Sequence, residues 1–277
     1  MNQPAISQTR PVVALMTDFG LGDGDVGVMK GVIAGIAPEA NIIDMTHEIA
    51  PQHVASAAWI LSIGYKYFPK GTVFVCVIDP GVGSSRGALA VHAGDWFFVG
   101  PDNGLFSYVY AEQPVHGAVR LENPAYQLPQ VSSTFHGRDI FAPAGAYLAR
   151  GVALDELGPE VDASTLQWID VTPPERKKNY IDAGILHIDH FGNILTTIPL
   201  SLVPDLFDLA SVSVEFPGKR TAVTQRRRFF AEDADDGVPF IYGDSSGYVG
   251  IAVRNGSAAR TLGLSAGATM TFVIAEK

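Results

Sequence analysis

The sequence predicts an α/β protein: an N-terminal layered domain with a mixed sheet flanked by helices, then a smaller C-terminal antiparallel β domain. Two observations carry that prediction. Strand-like and helix-like patterns alternate as far as residue 150, and only strand-like patterns follow a polar, proline-bearing stretch at Gln167–Asn179. Boundaries at 10–166 and 180–277 follow from them. The chain is 47% hydrophobic and 17% charged, which suits a well-packed core rather than disorder.

Taken in order, Pro11–Thr17 is a short apolar run suited to a buried strand. Val26, Met29, Val32, Ile33 and Ile36 recur at helical spacing, and Pro38 closes that helix. Asn41–Met45 reads as a second strand. Val54, Ala57, Ala58, Leu61 and Tyr65 mark a second helix, and β-branched Thr72–Ile78 a third strand. Ala88–His92 and Trp96–Val99 flank Ala-Gly-Asp as a hairpin. Asp139–Arg150 reads as a helix ended by Gly151, and Thr172–Asn179 as a linker. Beyond it, strands are expected at Tyr180–Ile188, Ile194–Ile198, Ser211–Phe216, Tyr248–Val253 and Thr269–Ile274.

The formal net charge of −10 argues against a nucleic-acid partner, which needs clustered Lys and Arg. Arg226-Arg227-Arg228 is followed by Glu232, Asp233, Asp235 and Asp236 and reads as a solvated face. Cys76 is the one cysteine and sits in an apolar run, as an inert core thiol does. Met1–Arg10 is polar, so no signal peptide is expected, and no apolar run is long enough to span a membrane; a cytoplasmic location is expected.

Gly22-Asp-Gly24-Asp-Val-Gly27 matches a dinucleotide fingerprint by pattern, with Asp44 further on. Its chemistry disagrees, because Asp23 and Asp25 would oppose a pyrophosphate at the helix start. No metal site is expected: His47 and His53, near Asp44 and Glu48, match no zinc spacing, and His187 and His190 fall on opposite faces of a strand.

Four segments carry polar chemistry. Asp79-Pro-Gly-Val-Gly83-Ser-Ser-Arg86 follows a buried strand, and its turn lets Arg86 fold back toward Asp79; a structural ion pair holding a tight turn fits equally well. Ser132-Ser-Thr-Phe-His136-Gly-Arg-Asp139 precedes a helix, where Ser132 to Thr134 and Asp139 suit capping; His136 is then either an acid, base or orienter, or a structural histidine. Asp189-His-Phe191-Gly-Asn193 offers hydrogen-bonding groups and a flat ring, or a hairpin turn. Gly243-Asp-Ser-Ser-Gly-Tyr248, with Arg254-Asn255-Gly256, has small groups able to hold an amino-acid end.

The ordered set resembles the S-adenosylmethionine hydrolases, also called hydroxide adenosyltransferases, which are relatives of the 5′-fluorinase and 5′-chlorinase. The matching stretches are Thr17–Gly20, Asp79–Gly83, Arg86, Pro101–Gly104, Thr134–Asp139, Phe191–Asn193 and Ser246–Tyr248, spread over nearly the whole chain. The resemblance implies Asp79, Arg86 and His136 as a hydrolytic triad around the attacking water. It implies Asp18 at the ribose hydroxyls, with Phe19 also in the substrate site. Asp189, Phe191 and Asn193 would serve the adenosine and methionine parts, with Ser245, Ser246, Tyr248 and Arg254 near the methionine end. S-adenosylmethionine is then the substrate, with no cofactor, and the protein a homotrimer whose sites lie between subunits. The halogenases carry tyrosine where this chain has Asp79 and His136, and the fluorinase serine where it has Gly137. His53 stands where an acidic residue is usual. A non-catalytic S-adenosylmethionine or adenosine sensor and a halide-dependent adenosyl transferase stay open as alternatives.

Overall fold

A computed structural model describes residues 10–169, 174–232 and 236–275. The chain divides into two compact units, one ending at residue 170 and the other beginning at 171.

The first unit runs β1 (Val12–Thr17), α1 (Asp25–Ile36), β2 (Asn41–Thr46), α2 (Val54–Gly64), β3 (Val73–Val77), β4 (Ala88–Ala93), β5 (Trp96–Pro101), α3 (Ser107–Glu112), β6 (Val115–Arg120) and α4 (Ala142–Ala149). Its six strands are ordered β2-β1-β3-β5-β4-β6. The pairs from β2 to β5 are parallel and those involving β4 antiparallel, so the sheet is mixed. Side chains alternate between two cores. Val13, Leu15, Val73 and Val75 pack with Met29 and Ile33 of α1 and Ala144 and Leu148 of α4. Ala14, Met16, Phe74 and Cys76 face the other way, onto Ala57 and Leu61 of α2 and Val109 of α3. A strand covered on both faces has to be apolar throughout, and that explains the unbroken run of β3. Burial drives the Cys76 thiol pKa upward, consistent with an inert thiol.

The second unit contains β7 (Glu175–Arg176), β8 (Tyr180–Ile188), β9 (Ile194–Pro199), β10 (Ser211–Glu215), β11 (Gln225–Arg226), β12 (Pro239–Gly243), β13 (Tyr248–Val253), α5 (Ala258–Leu262) and β14 (Thr269–Ala275). The path β10-β14-β8-β9-β13-β12-β11 is antiparallel except at β11–β12, and β7 joins it on β8. One face of it packs around Ile181, Ile198, Ile251 and Phe272.

Four differences from the sequence reading have physical causes. The helix expected at Asp139–Arg150 is α-helical only from Ala142; a π-helical turn, Gly137–Phe141, precedes it. Pro143 lacks the N–H that would bond Asp139 O, and that oxygen accepts from Leu128 N instead (2.9 Å). The linker expected at Thr172–Asn179 contains β7, paired with Ile181 and Asp182; Thr172 and Pro173 lie outside the described residues. The arginine run is a solvated face only at Arg228. Arg227 is 3% exposed and stacks on Phe240 at 4.5 Å, and Arg226 Nη1 donates to the carbonyls of Leu206 and Leu209. Asp233 and Asp235, like all of Met1–Arg10 but Arg10, fall outside the described residues. Finally, α3, β6, β12 and α5 had no expectation; in β6, His116 and Gly117 interrupt the apolar pattern where the β4–β6 register shifts. No helix among the described residues is long and apolar enough to cross a membrane.

Candidate active site

In the first unit, the carboxyl ends of β1 and β3 deliver the polar segments. Asn103 Nδ2 donates to Ile78 O (2.9 Å) and fixes the end of β3, where Asp79 begins a double turn: Val82 N bonds Asp79 O and Ser84 N bonds Gly81 O. The turn brings Arg86 back onto Asp79. Arg86 Nε donates to both carboxylate oxygens at 3.0 Å, and Nη2 donates to Oδ2. The same Nη2 lies 2.8 Å from His136 Nδ1. Side-chain exposure is only 4% for Asp79 and 11% for Arg86, and Phe141 lies under the guanidinium at 5.3 Å. The three side chains that the sequence singled out therefore form one cluster.

The two segments that carry them meet backbone to backbone. Gly83 has φ 77°, and a Cβ there would overlap the carbonyl oxygen of Ser133. Only glycine permits both the left-handed conformation and that approach.

Arginine only donates, so the Arg86 contact fixes His136 Nδ1 as an acceptor and leaves the neutral ring's proton on Nε2. Burial first, then the Arg86 charge, lowers the His136 pKa; Asp79, Asp139 and a hydrogen bond with the Ser132 backbone oppose that without reversing it. The ring is neutral at pH 7.

Asp18 follows β1. Its Oδ2 accepts from Gln52 N (2.7 Å), and Gln52 adopts φ 65°, a left-handed conformation uncommon for glutamine. Phe19 meets Phe135 edge-on at 5.9 Å. Asp18, Phe19, Gln52, Asp79, Phe135 and His136 share the lining of a concavity of about 230 Å³. At the end of β1, buried His47 has Nδ1 2.9 Å from Thr17 Oγ1 and Nε2 3.1 Å from Asp44, and Asp44 pairs with Lys30 at 2.6 Å. His53 caps α2, accepting from Ser56 N at 3.1 Å. These histidines have structural partners, and no group of three His, Cys, Asp or Glu side chains among the described residues is arranged to hold a metal ion.

In the second unit, Asp189 opens the β8–β9 hairpin. Its carboxylate accepts from Asn193 N and Nδ2, both at 2.8 Å. Gly192 (φ 86°) sits so close to Ser257 that no Cβ fits, and Ala259 N bonds Gly192 O, so the hairpin is docked on the start of α5. Phe191 is left 74% exposed. Asp189, Phe191 and Asn193 line a cavity of about 680 Å³. Its other walls include Phe230, Tyr242, Asp244, Asn255 and Arg260; of these the sequence offered Asp244 and Asn255 only within candidate segments, and Phe230, Tyr242 and Arg260 not at all. Burial, with the Asp244 and Asp189 charges, pushes the Tyr242 phenol pKa upward, so it is a neutral donor. Ser245, Ser246, Tyr248 and Arg254 are not among the lining side chains. Ser246 N and Oγ instead bond Asp244 Oδ1 within the β12–β13 turn, Tyr248 opens β13, and Arg254 lies 3.6 Å from Asp236. The signal for Asp244 and Asn255 was the Asp-Ser-Ser-Gly and Arg-Asn-Gly turn sequences around them; Phe230, Tyr242 and Arg260 had none.

Open α/β sheets bind small molecules at the carboxyl ends of parallel strands, and the polar cluster lies there. That places the first unit in the small-molecule-binding α/β class. Sequence similarity narrows the class. Residues 13–158 match the SAM hydroxide adenosyltransferase N-terminal domain and residues 183–271 its C-terminal domain; the chain belongs to this family. It is 40% identical to the (R)-S-adenosyl-L-methionine hydrolases of Thermus thermophilus, across 93% of this chain and 97% of that one, and of Salinispora tropica, across 93% and 95%. A fluorinase from Actinoplanes is more distant, at 26% identity across 94% and 97%. Among solved structures, an uncharacterized conserved protein from Thermotoga maritima superposes with a TM-score of 0.86 at 35% identity, covering 94% of this chain and 99% of that one.

Proposed function

We propose that the chain hydrolyses S-adenosyl-L-methionine to adenosine and L-methionine. The observation that carries this reading is the Asp79–Arg86–His136 cluster at the end of β3, whose Asp79 and His136 line a concavity shared with Asp18. A carboxylate at the nucleophile position repels a halide and accepts a proton from water, so water is the nucleophile.

The reaction forms a C5′–O bond and breaks the C5′–S bond, whose electron pair leaves with methionine as a neutral thioether. No acid is required. The tasks are alignment of water, C5′ and sulfur, and removal of the water's proton. Arg86 occupies His136 Nδ1, so the neutral imidazole has no lone pair to spare. Asp79 retains lone pairs beside those taken by Arg86 and receives the proton. Arg86 orients Asp79 and stabilises hydroxide-like charge. Asp18, anchored at one oxygen by Gln52 N, turns the other to the ribose hydroxyls. In the second unit, Asp189 and Asp244 suit an ammonium or sulfonium, Arg260 a carboxylate, and Phe191 and Phe230 a flat base.

The protein acts in the cytoplasm without a cofactor, and without a nucleic-acid or membrane partner. It works as a homotrimer in which the first unit of one copy and the second unit of the next complete a site. What supports that arrangement is that each unit carries a concavity of its own lining, each suited to a different part of the substrate.

The test is incubation of purified protein with S-adenosylmethionine in halide-free buffer, using the (R) and (S) sulfonium epimers separately because the relatives are named for the (R) form. Adenosine and methionine in equal amounts are expected, with the (R) epimer preferred. Turnover only on adding chloride would make it a halide-dependent transferase. Tight binding of an intact substrate would make it a sensor.

The rate should also fall on acidification, with a midpoint below the ordinary imidazole value of 6.5. Protonation puts a second positive charge at Nδ1, facing Arg86. A pH–rate profile with a midpoint above 6.5 would contradict a neutral His136 that burial and Arg86 keep from protonating.

A further inference from the structure

One carboxylate behind the cluster is fully enclosed: Asp139 has 0% exposure. Its Oδ2 accepts from Ser132 N (2.8 Å) and Ser132 Oγ (2.7 Å), and its Oδ1 from Arg138 Nε (2.6 Å). Ser132 Oγ in turn accepts from Phe135 N at 3.1 Å. His136 follows Phe135 directly in the chain, so the turn that this bond closes also carries the imidazole. Arg138 lies over the Phe135 ring at 5.0 Å, and Phe135 meets Phe19 in the wall of the concavity.

From this pattern we infer that Asp139 is a positioning residue: a buried clasp that sets the loop carrying His136 and Phe135, and through it the geometry of the hydrolytic cluster. The inference rests on the hydrolytic reading. A buried carboxylate is tolerable only when its oxygens are filled by donors. Here all of them come from Ser132 and Arg138, so satisfying the charge fixes the loop. Burial alone would raise the Asp139 pKa, yet the Arg138 and Ser132 donors hold it below the usual carboxylate range. One anchor thus serves two surfaces, the imidazole through the Ser132–Phe135 turn that precedes it and the aromatic wall through Arg138.

The test is Asp139→Asn, which keeps the volume and removes the charge. The expected result is kcat lower by about 10- to 100-fold with KM near wild type, as for a misplaced reacting group. Asp139 also favours the protonated form of His136, alongside Asp79 and against Arg86. The His136 ring titration, followed by NMR without substrate, should therefore move to lower pH in Asp139→Asn. A folded Asp139→Asn with wild-type kcat and an unmoved titration would overturn the inference. Where that variant fails to fold, Ser132→Ala decides. It removes one donor and keeps the carboxylate; kcat should fall about 10-fold at constant KM, and an unchanged kcat would overturn the clasp. The titration needs no turnover, so it separates failure of the clasp from failure of the hydrolytic reading.

Discussion

Asp79→Asn should lose about 10²- to 10⁴-fold in kcat, the range supplied by a positioned general base, while adenosine still binds near wild-type affinity. The asparagine fills the same space at the end of β3 and keeps one oxygen for Arg86, but it cannot take a proton from water. Its amide also directs N–H groups toward a guanidinium that only donates. The cluster should behave as a unit. Arg86→Gln combined with Asp79→Asn should be little slower than the worse single variant, because each already disables the same contact. Steady-state rates and adenosine titration of the three variants would check this. A wild-type rate for Asp79→Asn would remove the carboxylate from the mechanism, leaving a structural ion pair.

Asp189→Ala should act on binding instead. Its carboxylate organises Asn193 through two 2.8 Å hydrogen bonds and faces the larger cavity. Losing a charged hydrogen-bonding group costs about 1.5–3 kcal/mol, so the substrate Kd should rise about 10- to 100-fold. An unchanged Kd would take the second unit's cavity out of the substrate site. The two variants together also test the shared-site trimer. Asp79→Asn subunits retain an intact second unit, and Asp189→Ala subunits an intact first unit. At substrate concentrations well below the raised Kd of Asp189→Ala, co-refolded mixtures should exceed the summed rates of the two variants measured separately. No recovery in mixed oligomers would place each site within a single chain.

Much of this architecture was legible in the sequence, because burial on two faces leaves a plain trace. β3 is apolar at every position, and α1 shows its core face as Val26, Met29 and Ile33. Elements with weaker traces were missed. α5 has five residues, too few for a helical period, and β6 is interrupted by His116 and Gly117. Arg227 looked solvated because its neighbours are charged, and no local pattern shows that the Phe240 ring covers it. The site divides in the same way. Asp79 and Arg86 are joined by a six-residue turn and were readable as a pair. His136 was readable as a candidate, but its place against Arg86, 50 residues away, depends on tertiary packing. Phe230, Tyr242 and Arg260 come from three separate segments and converge only in the fold.

The backbone approach of Gly83 to Ser133 limits how this scaffold can be recombined. A loop taken from a halogenating cousin brings its own backbone path, and the facing loop has to complement it atom for atom. Residues 79–86 and 132–139 are therefore best exchanged together. Chimeras that exchange either half alone would set mismatched surfaces against each other where the reaction takes place.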